Sequence, residues 1–265
     1  MKKTMTRREM LQGSGATLAS LAGALVLGGC AQQATQAAAT PPATTTASDG
    51  RTESTDASDF VLIADVVPDV ILEIRYFGTY NFVGDRIDGY EEPIAITCKE
   101  SAEALKRASD DAIARGYRLK IWDAYRPQRA VNHFERWAED LGDTRMKQYF
   151  YPELDKSVLF DQGYIDHRSG HSRGAAIDLT LFDMNLGRDV DMGGTFDYFG
   201  EPSHPDYRAT ITDEQYNNRM ILRDIMVNAG FDPLATEWWH FKLANEPFPN
   251  TFFDFPVATG SVARA

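Results

Sequence analysis

The sequence predicts one compact α+β domain behind a long non-globular N-terminus. Three observations carry this. From residue 97 onward, helical and extended periodicities alternate without the even strand–helix–strand spacing of a parallel α/β fold. An acid, Asp178, interrupts an otherwise apolar strand pattern. Between Cys30 and Ser58 there is no large apolar side chain.

Thr6-Arg7-Arg8-Glu9-Met10-Leu11-Gln12 resembles a twin-arginine export motif. The uncharged stretch from Gly13 to Gly29 is shorter than the roughly 20 residues that span a bilayer. It ends Leu27-Gly28-Gly29-Cys30, which resembles a lipobox. Residues 1–29 are therefore expected to be a lipoprotein signal peptide, with Cys30 as the acylated anchor. The expected location is the outer face of the bacterial cytoplasmic membrane, or its periplasmic side. Residues 30–58 are Ala, Thr, Gln, Ser and Pro with little to bury, which predicts a flexible tether. The folded domain is expected over 59–265.

Thr97-x-x-Glu100 has the form of a capping box. It opens a helix whose stripe is Ala102, Leu105, Ala108, Ala112 and Ile113, closed by Gly116. Tyr117 to Tyr125 reads as a strand, and Pro127 fits the first turn of a second helix. Residues 175–182 alternate as a strand that places Asp178 with Ala176, Thr180 and Phe182. Thr212-x-x-Gln215 opens a last long helix closed by Gly230. Trp239, Phe241 and Leu243 alternate as a final strand.

The net charge is −12 over 265 residues. Lys2, Lys3, Arg7, Arg8 and Glu9 make the leader positive, so the body is more acidic still. Such a surface is repelled by nucleic acid and anionic lipid, and no basic patch opposes that. The assembly state is not legible. With Cys30 assigned to the anchor, Cys98 is a lone thiol, read as a small hydrophobe near a helix start.

There are five histidines. His171 lies in a small-residue loop, Ser169-Gly170-His171-Ser172-Arg173-Gly174, entering the strand of Asp178. His240 enters the last strand in Glu237-Trp238-Trp239-His240-Phe241. Two histidines and a carboxylate are a frequent catalytic zinc set with one open position. A lone histidine at a strand edge is more often structural than a ligand. Glu237 adds a chemistry, because a carboxylate beside a ligand can act as general base. In a regular strand, though, Glu237 and His240 face opposite sides, so Glu237 must sit in the preceding loop or at a kink. Arg126, between strand and helix, is positioned to stabilise an oxyanion or to make a surface salt bridge. His133, His167 and His204 carry no site pattern.

Trp122-Asp123-Ala124-Tyr125-Arg126-Pro127, the stretch from Ser169 to Thr180, and Glu237 to Phe241 together resemble the D-alanyl-D-alanine dipeptidase family. These are zinc peptidases related to the D,D-carboxypeptidases of bacterial cell walls. The resemblance spans about residues 60–257 and implies a single D,D-peptidase/hedgehog-like domain holding one Zn2+. It implies His171, Asp178 and His240 as zinc ligands, Glu237 as catalytic base and Arg126 as the transition-state arginine. It further implies Ser169 near the carboxylate of a D-Ala-D-Ala dipeptide, with Asp197 and Tyr76 at its ammonium. Gly170 departs from the pattern, which has a second serine there. The implied activity is hydrolysis of D-Ala-D-Ala in wall turnover or dipeptide scavenging. The alternatives are a D,D-carboxypeptidase trimming muropeptides, and a non-catalytic wall-binding module, whose mark would be a missing Glu237 or ligand.

Overall fold

A computed structural model describes residues 42–47 and 50–263. The expected signal peptide and Cys30 lie outside the described residues. The chain opens with strands β1 (Thr44–Thr46), β2 (Thr52–Ser54) and β3 (Phe60–Leu62). A short helix α1 (Ile63–Val66) leads to β4 (Ile71–Leu72) and β5 (Ile96–Cys98). Helix α2 (Lys99–Ala114) is followed by β6 (Tyr117–Asp123), α3 (Gln128–Glu139) and α4 (Lys147–Phe150). Then come β7 (Ala176–Asp183), β8 (Arg188–Asp189) and α5 (Asp213–Asn228). The last strands are β9 (Phe231–Pro233), β10 (His240–Leu243) and β11 (Thr251–Phe253).

The main sheet runs β4-β6-β7-β10-β9, with β8 also on β7. All its pairs are antiparallel except β4 with β6. This mixed sheet, helices outside it, is the α+β arrangement that the sequence predicts. On one side α2 lays Ala104, Leu105, Ala108 and Ala112 against β6, where Leu119 and Ile121 are buried. The small alanines let helix and strand approach closely. Elsewhere an aromatic layer joins Phe82 to Phe134, Trp137 and Phe199 at ring separations of 4.8, 5.2 and 5.1 Å. Tyr76 packs on Phe134 at 5.3 Å, within the same layer.

Strand β7 is the central member, and its register sets the site. His240 pairs with Asp178 across β10. Across β6, Ile121 pairs with Leu179, but Asp123 then pairs with Asp178. This β-bulge at Trp122 re-aims the end of β6, so Asp123 comes level with Asp178.

Three expectations change. The sequence predicts a tether that reaches residue 58, yet Thr44–Thr46 and Thr52–Ser54 are paired strands, and β2 continues in parallel onto β11. Thr52 N donates to Asn250 O and Asp254 N to Ser54 O, both at 2.9 Å. The ordering comes from backbone hydrogen bonds offered by a folded edge and from β-branched threonines, so apolar burial was the wrong guide. The Thr97 capping box does not form. Thr97 belongs to β5, and its hydroxyl donates to Gly174 O at 2.8 Å, leaving Cys98 to precede α2 without a side-chain cap. Pro127 stands one residue before α3, with extended backbone. The Thr212–Gln215 box is present with both reciprocal bonds.

Candidate metal centre and peptidase site

The centre is built from a turn and two neighbouring strands. A 3-10 turn, Gly170–Arg173, carries His171. Ser169 caps it, accepting from His171 N at 3.2 Å. Gly174 ends it with φ 82°, and a Cβ there would lie 2.2 Å from the buried Phe60 ring. His171 Nδ1 donates to the carbonyl of Ala124 at 2.7 Å. Because a carbonyl can only accept, that bond fixes the tautomer and leaves Nε2 with a free lone pair. Nε2 faces Asp178 Oδ2 at 3.2 Å and His240 Nδ1 at 3.1 Å. Asp178 Oδ1 lies 3.0 Å from His240 Nδ1.

These separations test the fit of a metal. Zinc bonds of about 2.0–2.1 Å at tetrahedral angles put neighbouring donor atoms about 3.3 Å apart. The two imidazole nitrogens, and each of them with one oxygen of Asp178, are spaced within a few tenths of an ångström of that. The donors are two imidazole nitrogens and one carboxylate, the donor set zinc takes, and the Ala124 carbonyl orients the His171 ring. Burial alone would raise the Asp178 carboxyl, but His171 and His240 hold it well below the usual carboxylate range.

Glu237 solves the facing problem by a turn. Residues 238–239 reverse the chain, with His240 N 3.4 Å from Glu237 O, so β10 begins at His240 itself. Glu237 Oε2 then lies 3.8 Å from His240 Nδ1. Its side chain is 26% exposed, enough to meet a water or substrate. Burial pushes its carboxyl up to about 7, against the pull of His240 and Arg126. That is the range in which a carboxylate both takes and returns a proton at neutral pH.

Arg126 is held from several sides. Its Nε and Nη2 each lie 2.9 Å from Asp123 Oδ2, and Nη2 is 3.6 Å from Asp178 Oδ2. Its guanidinium packs 4.8 Å from the Tyr76 ring and 5.4 Å from that of Phe134. Asp123 is the residue that sequence reasoning passed over. It is fully buried, accepts from Tyr90 OH at 2.5 Å and anchors Arg126. The available signal was its place three residues before Arg126; the bulge that turns it inward has no sequence mark.

Asp197 and Tyr76 form the other end. Tyr76 OH donates to Asp197 Oδ2 at 2.8 Å. Asp197 has φ 58°, the one left-handed non-glycine among the described residues, and strain of that kind gathers at functional sites. Burial raises its carboxyl well above the ordinary value, although Arg126 opposes this. Tyr76, Arg126, Ser169, Asp197, Glu237 and the three donors all line one pocket of about 410 Å³.

Every described member of the predicted site is thus in one place. The remaining histidines are elsewhere: His133 Nδ1 accepts from Asp88 N, His167 pairs with Glu135, and His204 offers its carbonyl to Arg219. Cys98 is buried, and burial pushes its thiol up to about 12, so it is no nucleophile.

A cluster of three residues able to hold a metal, beside a carboxylate of raised pKa in an α+β domain, is the arrangement of a metal-dependent hydrolase. The chain belongs to the D-Ala-D-Ala dipeptidase family of peptidases, whose family model matches residues 56–258. It is 41% identical over 198 residues to a D-alanyl-D-alanine dipeptidase of Enterococcus faecium, covering 75% of this chain and 98% of that protein. It is 42% identical over 200 residues to one of Streptomyces coelicolor, covering 76% and 98%. Against one of Escherichia coli K12 it is 35% identical over 188 residues, covering 71% and 86%.

Proposed function

We propose that this chain is a zinc-dependent dipeptidase that hydrolyses D-Ala-D-Ala to two D-alanines. One observation carries the reading: Glu237, Arg126 and the Asp197–Tyr76 pair converge on the same pocket as the His171, Asp178 and His240 donors. The names of the relatives supply the substrate. Held by those three residues, zinc would supply Lewis acidity, lowering the pKa of water and polarising a carbonyl. Glu237 takes the proton of the attacking water and returns it to the leaving amine. Arg126, its charge fixed by Asp123, stabilises the oxyanion as it forms. Asp197, with Tyr76, receives the substrate ammonium, and Ser169 stands toward the carboxylate.

An ionic acceptor for the ammonium disfavours longer peptides, whose matching atom is an uncharged amide. Carboxypeptidase action on longer muropeptides is the second reading; the export and lipid motifs favour it, because wall stems lie outside the membrane. On the same motifs we place the enzyme as an exported lipoprotein anchored through Cys30, serving wall turnover or scavenging.

The test uses the full-length chain loaded with one zinc. D-Ala-D-Ala should release D-alanine, and L-Ala-L-Ala and a pentapeptide ending in D-Ala-D-Ala should turn over far more slowly. Absence of release from metal-loaded protein refutes the dipeptidase reading, and faster turnover of the pentapeptide replaces it with the carboxypeptidase. Cys30→Ala should abolish labelling by fatty acid; labelling that persists removes the anchor.

A further inference from the structure

The pocket holds a cation that neither hydrolysis nor ammonium binding employs. Arg173 closes the 3-10 turn that carries His171 and lines the same pocket. Its Nε donates to Glu246 Oε2 at 2.9 Å, and its guanidinium lies 5.7 Å from the Phe252 ring. The side chain is only 17% exposed, so its stem is held. No hydrogen bond among the described residues engages Nη1 or Nη2. Nη2 is also the nearest atom to the space above Gly170, where a Cβ would stand 3.5 Å from it. Gly170 has no side chain to cover the guanidinium.

Glu246 does not neutralise this end alone. Lys242 lies two residues past His240 on β10, lines the pocket and shares the same carboxylate, Nζ to Oε1 at 3.4 Å. Asp232 is opposite Lys242 in the register and makes no ion pair among the described residues. Arg168, the other arginine on this side, is paired with Glu53 at 2.7 Å. The acid of the pocket's other end, Asp197, is partnered by Tyr76, with Arg126 as the positive charge that acts on it. Arg126 itself is engaged by Asp123. The Nη edge of Arg173 is therefore an unengaged guanidinium fork among the described residues of the pocket, on the Ser169 side of the metal donors.

We propose that Arg173, backed by Lys242, receives the α-carboxylate of the residue that leaves, making it the determinant of specificity for a free C-terminus. A planar guanidinium matches a carboxylate with two parallel hydrogen bonds, and partial burial strengthens them. A zwitterionic dipeptide then meets Asp197 with one end and Arg173 with the other. The inference rests on the peptidase reading of the site but holds for either peptide length.

The experiment compares D-Ala-D-Ala with its C-terminal amide. The zinc-loaded wild type should prefer the acid by at least about tenfold in kcat/KM, the scale of one charge-assisted pair. Arg173→Gln should lose that preference, with the loss falling on KM for the acid. Arg173→Lys should restore part of it. On a Glu237→Gln background, where turnover does not interfere, Arg173→Gln should weaken calorimetric binding of the acid and leave that of the amide nearly unchanged, which a merely structural defect would not produce. Equal use of acid and amide by the wild type overturns the proposal, as does an Arg173→Gln enzyme that keeps the preference. Failure of the wild type to cleave either substrate would instead sink the peptidase reading.

Discussion

Single atoms decide what the pocket can do. The Ala124 carbonyl holds the proton of His171 on Nδ1, so Nε2 is presented to a metal. Glu237 sits where its carboxyl is pushed up to about 7. Glu237→Gln should keep one zinc per chain, since Glu237 is outside the donor set, and lower kcat by roughly 10²–10⁴-fold, the usual worth of general base catalysis. Metal analysis with steady-state kinetics checks this; near-normal kcat would remove its role. Asp123→Asn keeps the shape of the carboxylate that clamps Arg126 but removes its charge. We expect a loss of about tenfold or more in kcat with little change in KM, because the arginine matters most for the developing oxyanion. Asp197→Asn should act on the opposite end. It should raise KM for D-Ala-D-Ala and narrow the preference over the N-acetylated dipeptide, which lacks the ammonium.

Elements put those atoms in place, and here sequence and structure part company in places. The metal donors were legible because their neighbours are distinctive: glycines and serines around His171, an acid inside an apolar strand, a Glu before tryptophans. Two long helices were legible, α2 from its alanine-rich stripe and α5 from a capping box that forms. Asp123 was not, because its inward aim comes from a register shift between β6 and β7, a relation between strands that no single segment records. Thr97 misled because its hydroxyl has two possible employers, a helix N-terminus and the Gly174 carbonyl, and tertiary contact chose the second. The β1–β2 strands were missed for a related reason: their partner lies at the other end of the chain. At Gly174, with φ 82° and Phe60 2.2 Å from any Cβ, Gly174→Ala is strained in both backbone and packing. It should cost roughly 2–4 kcal/mol in chemical denaturation, from overpacking plus the left-handed penalty. A cost below about 0.5 kcal/mol would mean that Phe60 moves aside freely.

At the scale of the molecule, metal and fold are linked. Two imidazoles and a carboxylate lie within 4.8 Å of one another, at the meeting of β7, β10 and the 171 turn. Zinc bound only by the native state stabilises it by about 4 kcal/mol at a thousandfold excess over Kd. Chelation should therefore lower Tm by roughly 8–16 °C for a domain of this size, and zinc should restore it. A chelated protein that melts with the loaded one would mean that the site does not hold metal tightly.

The pairing of Thr52 with Thr251 also bears on the order of events in folding. That contact joins residues about 200 positions apart, and such long closures come late because the intervening chain must already be compact. Phe252, the next residue of that strand, lies under both Arg168 and Arg173 on the pocket rim. The rim is then expected to be among the last parts completed. During refolding, recovery of dipeptide binding should trail the return of tryptophan fluorescence from the buried Trp238 and Trp239, as a separate slower phase.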